Sequence, residues 1–189
     1  MNNFALMIID MQNDIINGRV VSAKTVVEPI KKVLEFFRDK KWPIVHVLRV
    51  HRADGTDVEK YRHSSFMEKP YLVKGTPGSR VIDAIQPTSN EYIIEKRRFS
   101  GFFQTDLLLL LKGIDVSHLV VCGVQTPNCV RCTVTDAIGF NFDVTVLEDA
   151  TAAQTSAIHA ANLLDMKNMG VNIQTLDAFI TEKDQKLFL

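Results

Sequence analysis

Six short runs of apolar residues set the strongest limit on how this chain can fold. Each run is nearly continuously hydrophobic, as expected for strands of a parallel sheet that is buried on both faces. Between the runs, apolar residues recur at helical spacing, for example from Val26 to Phe37 and from Ile158 to Met169. This alternation predicts an α/β fold, a three-layer α/β/α sandwich with a six-stranded, mainly parallel sheet and right-handed crossovers. The predicted strands cover residues 4–10, 43–50, 91–96, 118–124, 143–149 and 171–176.

The length of 189 residues suits a single domain spanning residues 1–189, large enough to bury a core without disulfides or a structural metal. The sequence contains no internal repeat, low-complexity segment or linker that would divide it. The alternation of predicted strands and helices has one long break, residues 51–90. This segment contains several glycines and prolines and only a short helical pattern near residues 81–85. Loops of this length are usually functional or mobile, and we expect this one to belong to the same domain.

Composition and charge exclude several classes of function. Lys plus Arg and Asp plus Glu number 22 each, so the chain lacks the positive surface that binds nucleic acids or anionic membranes. The longest leucine run, residues 107–111, is far shorter than the roughly 20 apolar residues that span a bilayer. The absence of signal-peptide features and an odd cysteine count, three, favour a reduced, cytoplasmic protein. The expected partner is a small molecule, with no nucleic acid and no membrane.

Residues that can carry chemistry fall at the ends of three predicted strands. Asp10 closes the first strand, Lys96 closes the third, and Cys129 lies just after the fourth, at the start of a helix. Taken singly, they could be a turn residue, an exposed charge and a small buried side chain. Ligands of open α/β sheets bind at the carboxyl ends of the strands, where these three residues would meet. Their coincidence predicts a candidate site that combines an acid, a cation and a thiol.

The position of Cys129 allows two kinds of thiol chemistry. A thiol at a helix N-terminus faces the positive end of the helix dipole, so we expect a lowered pKa. Cys132 completes a C-x-x-C pair, which is a redox motif. Pro127 precedes this pair instead of lying inside it, and dithiol chemistry would leave Asp10 and Lys96 without a role. We favour a nucleophilic Cys129 and keep a thiol-disulfide redox protein as the alternative.

Four segments resemble a known family in residues, order and spacing. They are IIDMQND (8–14), EKRRFSGFFQTDL (95–107), VVCGVQTPNCVRCTVTDA (120–137) and VTVLEDATAA (144–153), and GVQTPNCV is the most specific part. Together they resemble the isochorismatase-like cysteine hydrolases, which include nicotinamidases and several amidohydrolases of ureido compounds. The resemblance covers nearly the whole chain and implies the same Rossmann-like α/β fold.

By this resemblance, Asp10 is the general acid and base, Lys96 its cationic partner and Cys129 the nucleophile. The implied reaction is hydrolysis of a C–N bond in a small amide- or ureido-type metabolite through a thioester intermediate. Some true isochorismatases, which cleave a vinyl ether, have no cysteine at this position, so Cys129 favours amide chemistry. The resemblance also implies a homo-oligomer, a dimer or tetramer. A non-catalytic binding module of the same fold is a third interpretation.

The resemblance also concerns the backbone before Cys129. Members of the family have a non-proline cis peptide bond that would lie between Val124 and Gln125 here. It implies that the backbone N–H groups of Gln125 and Cys129 form an oxyanion hole for the reacting carbonyl.

The metal motif of nicotinamidases is incomplete in this chain. Those enzymes carry an Asp-x-His motif after the second strand, where residues 49–51 here read Arg-Val-His. Without the Asp, His51 and the nearby His63 are more often surface or structural histidines than metal ligands. We therefore predict no catalytic metal and no cofactor, and nicotinamide becomes a less favoured substrate.

Substrate contacts are predicted near the ends of the strands. The predicted contacts are Gln12, Arg49, Arg98 and Phe102. The guanidinium groups of Arg49, Arg52 and Arg98 would suit a carboxylate or a ureido oxygen, although a solvated basic rim explains them equally well. Relatives usually have Phe where this chain has Ile15. An aromatic wall, if present, would come from one of three phenylalanines: Phe99, Phe102 or Phe103.

Overall fold

The computed structural model describes residues 3–18 and 20–185, which form a six-stranded sheet with parallel pairings throughout. The strands are β1 (Phe4–Ile9), β2 (Ile44–Arg49), β3 (Tyr92–Lys96), β4 (His118–Val124), β5 (Asp143–Ala152) and β6 (Asn172–Gln174). Their order in the sheet is β3-β2-β1-β4-β5-β6. The predicted sheet is confirmed. Its main differences from the prediction are a longer β5 and a shorter β6.

Helices cover both faces of the sheet, which confirms the three-layer prediction. They are α1 (Asn13–Ile16), α2 (Val27–Lys40), α3 (His63–Glu68), α4 (Leu107–Gly113), α5 (Arg131–Gly139), α6 (Ser156–Asn168) and α7 (Leu176–Gln185). The helical pattern near residues 81–85 forms only a 3-10 turn, Asp83–Ile85. Among the described residues, no helix has both the length and the apolar character that crossing a membrane requires.

The alternating side chains of β1 explain why its sequence is hydrophobic throughout. Leu6 and Ile8 pack in the core beneath α2 and α7, whereas Ala5, Met7 and Ile9 pack beneath α4, α5 and α6. All five side chains are buried. Because helices cover both faces, the strand lacks the polar-apolar alternation of a half-exposed sheet. β1 is therefore the centre of the sandwich.

The direction of strand addition reverses at β1, which pairs with β2 on one side and with β4 on the other. Such a switch point is where open α/β sheets bind ligands. Gly123 in β4 lies opposite Ile9 with a φ of +108°, and a Cβ atom there would overlap the Ile9 backbone. Glycine alone tolerates both the close approach and this backbone conformation. The ends of β1 and β4 consequently lie side by side.

The long segment of residues 51–90 packs over the carboxyl edge of the sheet. Seven of its apolar side chains are buried in the same cluster as β1 and α2: Val58, Phe66, Tyr71, Leu72, Val81, Ile82 and Ile85. The segment is thus anchored by its own burial, although it contains little regular structure. That residues 1–189 form a single domain stays a prediction, because residues 1–2, 19 and 186–189 lie outside the described part.

Candidate active site

The structure gathers Asp10, Lys96 and Cys129 at the carboxyl edge of the sheet. Asp10 directly follows β1 with a left-handed backbone (φ 55°), and Lys96 is the last residue of β3. Cys129 lies in a π-helical turn, Thr126–Val130, after β4. The three residues are 2%, 0% and 6% exposed, respectively. The long Lys96 side chain crosses the end of β2, which separates β3 from β1 in the sheet.

Asp10 and Lys96 form a buried ion pair. Lys96 Nζ donates to Asp10 Oδ2 at 2.8 Å and to the Arg98 carbonyl oxygen at 3.2 Å. The other carboxylate oxygen, Asp10 Oδ1, is buried and has no hydrogen-bond partner at an ordinary distance among the described residues, although the carboxylate is close enough to the Cys129 thiol to raise its pKa. Lysine thus fixes one oxygen of the carboxylate and leaves the other available to exchange a proton.

Burial controls the ionisation of Cys129. It raises the pKa of the Cys129 thiol to about 11, and the negative charge of Asp10 adds to the increase against the opposing charges of Lys96 and Arg49. The expectation of a lowered pKa is therefore wrong. Removal from solvent disfavours the thiolate, and this effect outweighs the nearby cations. At neutral pH the thiol is therefore protonated, and it could act as a nucleophile only after a base had removed its proton.

Alkylation should report this raised pKa. Near pH 7 we expect iodoacetamide to react with Cys129 at least about 100-fold more slowly than with a thiol of ordinary pKa, because less thiolate is present. The rate should keep rising as the pH approaches 11. The Cys129→Ala variant, labelled in parallel, gives the background from Cys122 and Cys132. A rate that levelled off below pH 8 would contradict the raised pKa.

Arg49, at the end of β2, places a permanent cation beside the thiol. Its Nη1 lies 4.0 Å from Cys129 Sγ, and its Nη2 is paired with the Glu59 carboxylate. Its Nε donates to His51 Nε2 at 3.3 Å. The guanidinium is buried and held on three sides, so it faces Cys129 in a fixed orientation. Arg49, predicted as a substrate contact, does line the cavity described below.

The same contacts make His51 a poor metal ligand. Its Nε2 already accepts from Arg49, and burial together with the Arg49 charge lowers the pKa of His51 to about 4. His63 is exposed at the start of α3. No group of three or more His, Cys, Asp or Glu side chains within the described residues could hold a metal ion. The residues here do not fit the metal site of nicotinamidases, because a guanidinium stands where a carboxylate ligand is needed.

A cavity of about 420 Å³ opens above Asp10, Arg49 and Cys129. Its remaining walls come from five parts of the chain: Ile15, Tyr61, Arg62, Ser65, Tyr71, Leu72, Phe99, Val124, Gln125, Asn128 and Gln154. Segment 51–90 supplies five of these residues, from Tyr61 to Leu72. The length of that segment predicted a functional or mobile loop, but no local motif marked its individual side chains. Phe99 is the phenylalanine that forms an aromatic wall.

Gln12 does not line the cavity. It is fully buried, its Nε2 donates to the Arg49 and Ser79 carbonyl oxygens at 2.8 Å, and its Oε1 accepts from Arg49 N at 2.9 Å. These three bonds use the side-chain amide to join β2 to the long segment. Gln12 therefore positions the Arg49 backbone.

Arg98 and Phe102 also lie outside the cavity. Arg98 Nη1 donates to the Asp57 carbonyl oxygen at 2.6 Å, and its side chain lines a separate depression. Phe102 is buried against Phe140 and Phe142, at centroid distances of 5.3 and 6.1 Å. Both residues follow Lys96 within the next six positions of the sequence, but the chain turns after β3 and directs their side chains elsewhere.

The two cysteines of the C-x-x-C pair face different surroundings. Cys129 lines the central cavity, whereas the half-buried Cys132 lines the separate depression with Pro127 and Arg131. Both thiols are free. Dithiol chemistry would use both sulfurs at one site, so this arrangement favours a single nucleophilic cysteine over the redox alternative.

The backbone around Cys129 is held by local hydrogen bonds. The Val124–Gln125 peptide bond is cis, and Asn128 Nδ2 donates to Gln125 Oε1 at 3.1 Å. Thr133 Oγ1 donates to the Cys129 carbonyl oxygen at 2.6 Å and accepts from Gly101 N at 2.9 Å. These contacts fix the turn that carries the thiol.

Comparison with known proteins assigns the family. The sequence profile of the isochorismatase domain matches residues 4–178. The chain belongs to the isochorismatase family. A relative from Arabidopsis thaliana, named probable inactive nicotinamidase, is 42% identical and is matched over 95% of this chain and 96% of its own length.

Solved structures of the isochorismatase family agree with this assignment. A family protein from Desulfovibrio vulgaris superposes with a TM-score of 0.93 at 38% identity, over 100% of both chains. N-carbamoylsarcosine amidase from Thermoplasma acidophilum superposes with a TM-score of 0.80 at 32% identity, over 94% of this chain and 98% of its own. The isochorismatase-like fold predicted from the sequence is confirmed.

Proposed function

We propose that this isochorismatase-family protein is a cysteine-dependent hydrolase that cleaves a C–N bond of a small amide- or ureido-type metabolite. The observation that carries the proposal is the shared cavity of Cys129 and Asp10, in which Lys96 holds one carboxylate oxygen and leaves the other unbonded. A raised thiol pKa makes such a base necessary. The similarity to an amidase of a carbamoyl compound supports the substrate class.

In the first half of the proposed reaction, Asp10 Oδ1 takes the proton from the Cys129 thiol. The sulfur then bonds to the substrate carbonyl carbon, while Lys96 and Arg49 stabilise the negative charge. Backbone N–H groups of Gln125 and Cys129 receive the carbonyl oxygen as it becomes an oxyanion. The C–N bond breaks as Asp10 returns the proton to the departing amine. A thioester remains on Cys129.

In the second half, a water molecule attacks the thioester carbonyl and Asp10 takes its proton. The S–C bond breaks, and the product leaves as a carboxylic acid or as a carbamate. The proton on Asp10 passes to the Cys129 sulfur, which restores the starting state. Lys96 stays paired with Asp10 and offsets the change of its charge in both halves.

Nicotinamide is not the substrate that we propose. Arg49 and His51 occupy the positions where nicotinamidases hold their metal, and they are bonded to each other. The name of the Arabidopsis thaliana relative describes that protein as a probable inactive nicotinamidase, which concerns nicotinamide and no other amide. Hydrolysis of a different amide by the present chain is compatible with that name, because Asp10, Lys96 and Cys129 are all present.

A panel of aliphatic amides, ureido compounds and nicotinamide tests the proposal. We expect ammonia or amine release from at least one amide or ureido compound, and a mass increase on Cys129 when turnover is quenched early. Nicotinamide should release no more ammonia than a blank. If no compound released ammonia or amine and no adduct formed on Cys129, the hydrolase would be rejected and a non-catalytic binding module would take its place.

The family resemblance also supports a cytoplasmic homo-oligomer, a dimer or a tetramer, as part of this proposal. Helix α6 exposes two large apolar side chains that a second subunit could cover: Ile158 and Leu164. Light scattering after size-exclusion chromatography gives the mass in solution. A monomer at micromolar concentration would contradict the oligomer without affecting the proposed chemistry.

A further inference from the structure

Within the part of the chain that the structure describes, one of the two guanidinium groups that line the central cavity has no ion-pair partner. Asp10 is paired with Lys96, and Arg49 is paired with Glu59. Arg62, which ends the 3-10 turn before α3, lines the cavity and forms no ion pair with any carboxylate of the described residues. Asp10 is the only acidic side chain among the described residues that line this cavity. Two guanidinium groups and one carboxylate therefore line the cavity, and Glu59, which is paired with Arg49, acts on Arg62 only beyond ion-pair distance.

Aromatic rings hold the Arg62 guanidinium in place. Its Cζ lies 5.1 Å from the ring centroids of both Tyr61 and Phe99. The Phe99 ring also lies 5.2 Å from Arg49 Cζ, so it links the guanidinium beside Cys129 to the one near the opening. Tyr61 is 70% exposed and marks that opening. A guanidinium that packs on rings keeps its in-plane N–H groups available for a bidentate carboxylate.

The rest of the cavity suits the uncharged, polar part of a molecule whose carboxylate is bound by Arg62. Three side-chain amides line it and can bond a carbonyl or an N–H group: Gln125, Asn128 and Gln154. A volume of about 420 Å³ lies at the lower end of the range for small-molecule sites. The cavity therefore accommodates a short molecule with a polar carbonyl near Cys129 and an anionic group near Arg62.

We propose that the substrate carries a carboxylate remote from the scissile C–N bond, and that Arg62 binds this carboxylate. The protein then selects ureido acids or amide acids over neutral amides of the same shape. This inference rests on the proposed hydrolase function for the meaning of the scissile bond. Binding of the carboxylate itself needs no turnover and can be measured separately.

The test measures binding to the full-length Cys129→Ala variant by isothermal titration calorimetry. The probes are N-carbamoylglycine, N-carbamoyl-β-alanine and N-carbamoyl-γ-aminobutyrate, each paired with its neutral carboxamide. We expect at least one acid to bind at least about tenfold more tightly than its carboxamide, because a hydrogen bond between ions is stronger than one to a neutral group. The preference should shrink as salt is added, since Arg62 is only half-buried.

Two substitutions assign the preference to Arg62. Arg62→Met removes the charge and keeps a long apolar stem against Phe99, so the acid should lose its advantage. Arg62→Lys keeps the positive charge but loses the planar guanidinium, so it should retain part of the preference for the acid over its carboxamide. Lys60→Met is the matched control, because Lys60 is an exposed cation of the same turn that lies outside the cavity. This control should bind the acid as tightly as the parent protein.

The outcomes separate this inference from the proposed function. Equal affinity for every acid and its carboxamide, or an unchanged preference in folded Arg62→Met, overturns the role of Arg62. If Arg62→Met does not fold, two other measurements decide. The role of Arg62 is overturned when the preference for acids over carboxamides is unchanged both in Arg62→Lys and at high salt. Acid-selective binding with no turnover by the wild-type protein overturns the hydrolase and leaves carboxylate recognition standing. Equal turnover of acids and neutral amides overturns the recognition alone.

Discussion

Replacing Cys129 by alanine should lower kcat/KM by about 10⁴-fold or more, because it removes the atom that bonds to the substrate. The loss should appear in kcat, with substrate binding largely retained. Steady-state ammonia release with a substrate from the amide and ureido panel gives the rate. Intact-mass analysis of quenched reactions shows whether the acyl adduct disappears together with activity.

Cys132→Ser provides the matched control for this prediction. Cys132 lies three residues further along the chain but lines a different depression, so the proposed hydrolase should keep its rate to within about twofold. A dithiol catalyst would lose its function with either substitution. Loss of turnover in Cys132→Ser at unchanged stability would revive the redox alternative, and turnover in Cys129→Ala would remove the nucleophile.

Replacing Lys96 by methionine should lower the free energy of unfolding by about 3 to 5 kcal/mol, because Asp10 is left as a buried charge without its partner. Lys96 is fully buried and Asp10 is 2% exposed, so water cannot replace the lost ion pair. Urea denaturation followed by circular dichroism measures the change. Activity should also fall to the background level, since the carboxylate loses the cation that holds it.

The double variant Asp10→Asn/Lys96→Met separates folding from chemistry. Both charges are removed together, so most of the lost stability should return, as it does when buried ion pairs are replaced by neutral groups. The proton acceptor is also removed, so turnover should stay absent. A Lys96→Met variant as stable as wild type would contradict a strong buried pair. A double variant no more stable than the single one would show that packing, and not charge, caused the loss.

The strands were predictable because burial on both faces leaves short, continuous apolar runs, and these runs alternate along the chain with longer segments of helical periodicity. The positions of Asp10 and Lys96 at one edge followed from the same pattern, since the carboxyl ends of parallel strands meet there. The contact between Lys96 and Asp10 was less predictable. It depends on the strand order, which places β2 between β3 and β1 and requires a long side chain to cross its end.

Side-chain direction after a strand was not predictable from position alone. Arg98 and Phe102 follow Lys96 closely, yet the turn after β3 sends Arg98 to Asp57 and buries Phe102 against other rings. Gln12 follows Asp10 closely, but its side-chain amide donates hydrogen bonds to backbone carbonyl groups of β2 and of segment 51–90. All three residues lie outside helices and strands. No periodic pattern in the sequence therefore indicates where their side chains point.

By itself, the sequence determined the layered α/β fold, the strand ends that carry the acid, the cation and the thiol, and the family resemblance. These depend on hydrophobic periodicity and on residue identity, which are local properties. Tertiary structure alone decided the thiol pKa, because desolvation depends on everything packed around Cys129 and here outweighs the two nearby cations, Lys96 and Arg49. It also decided which side chains of residues 51–90 line the cavity, since their placement depends on contacts between segments distant in the chain.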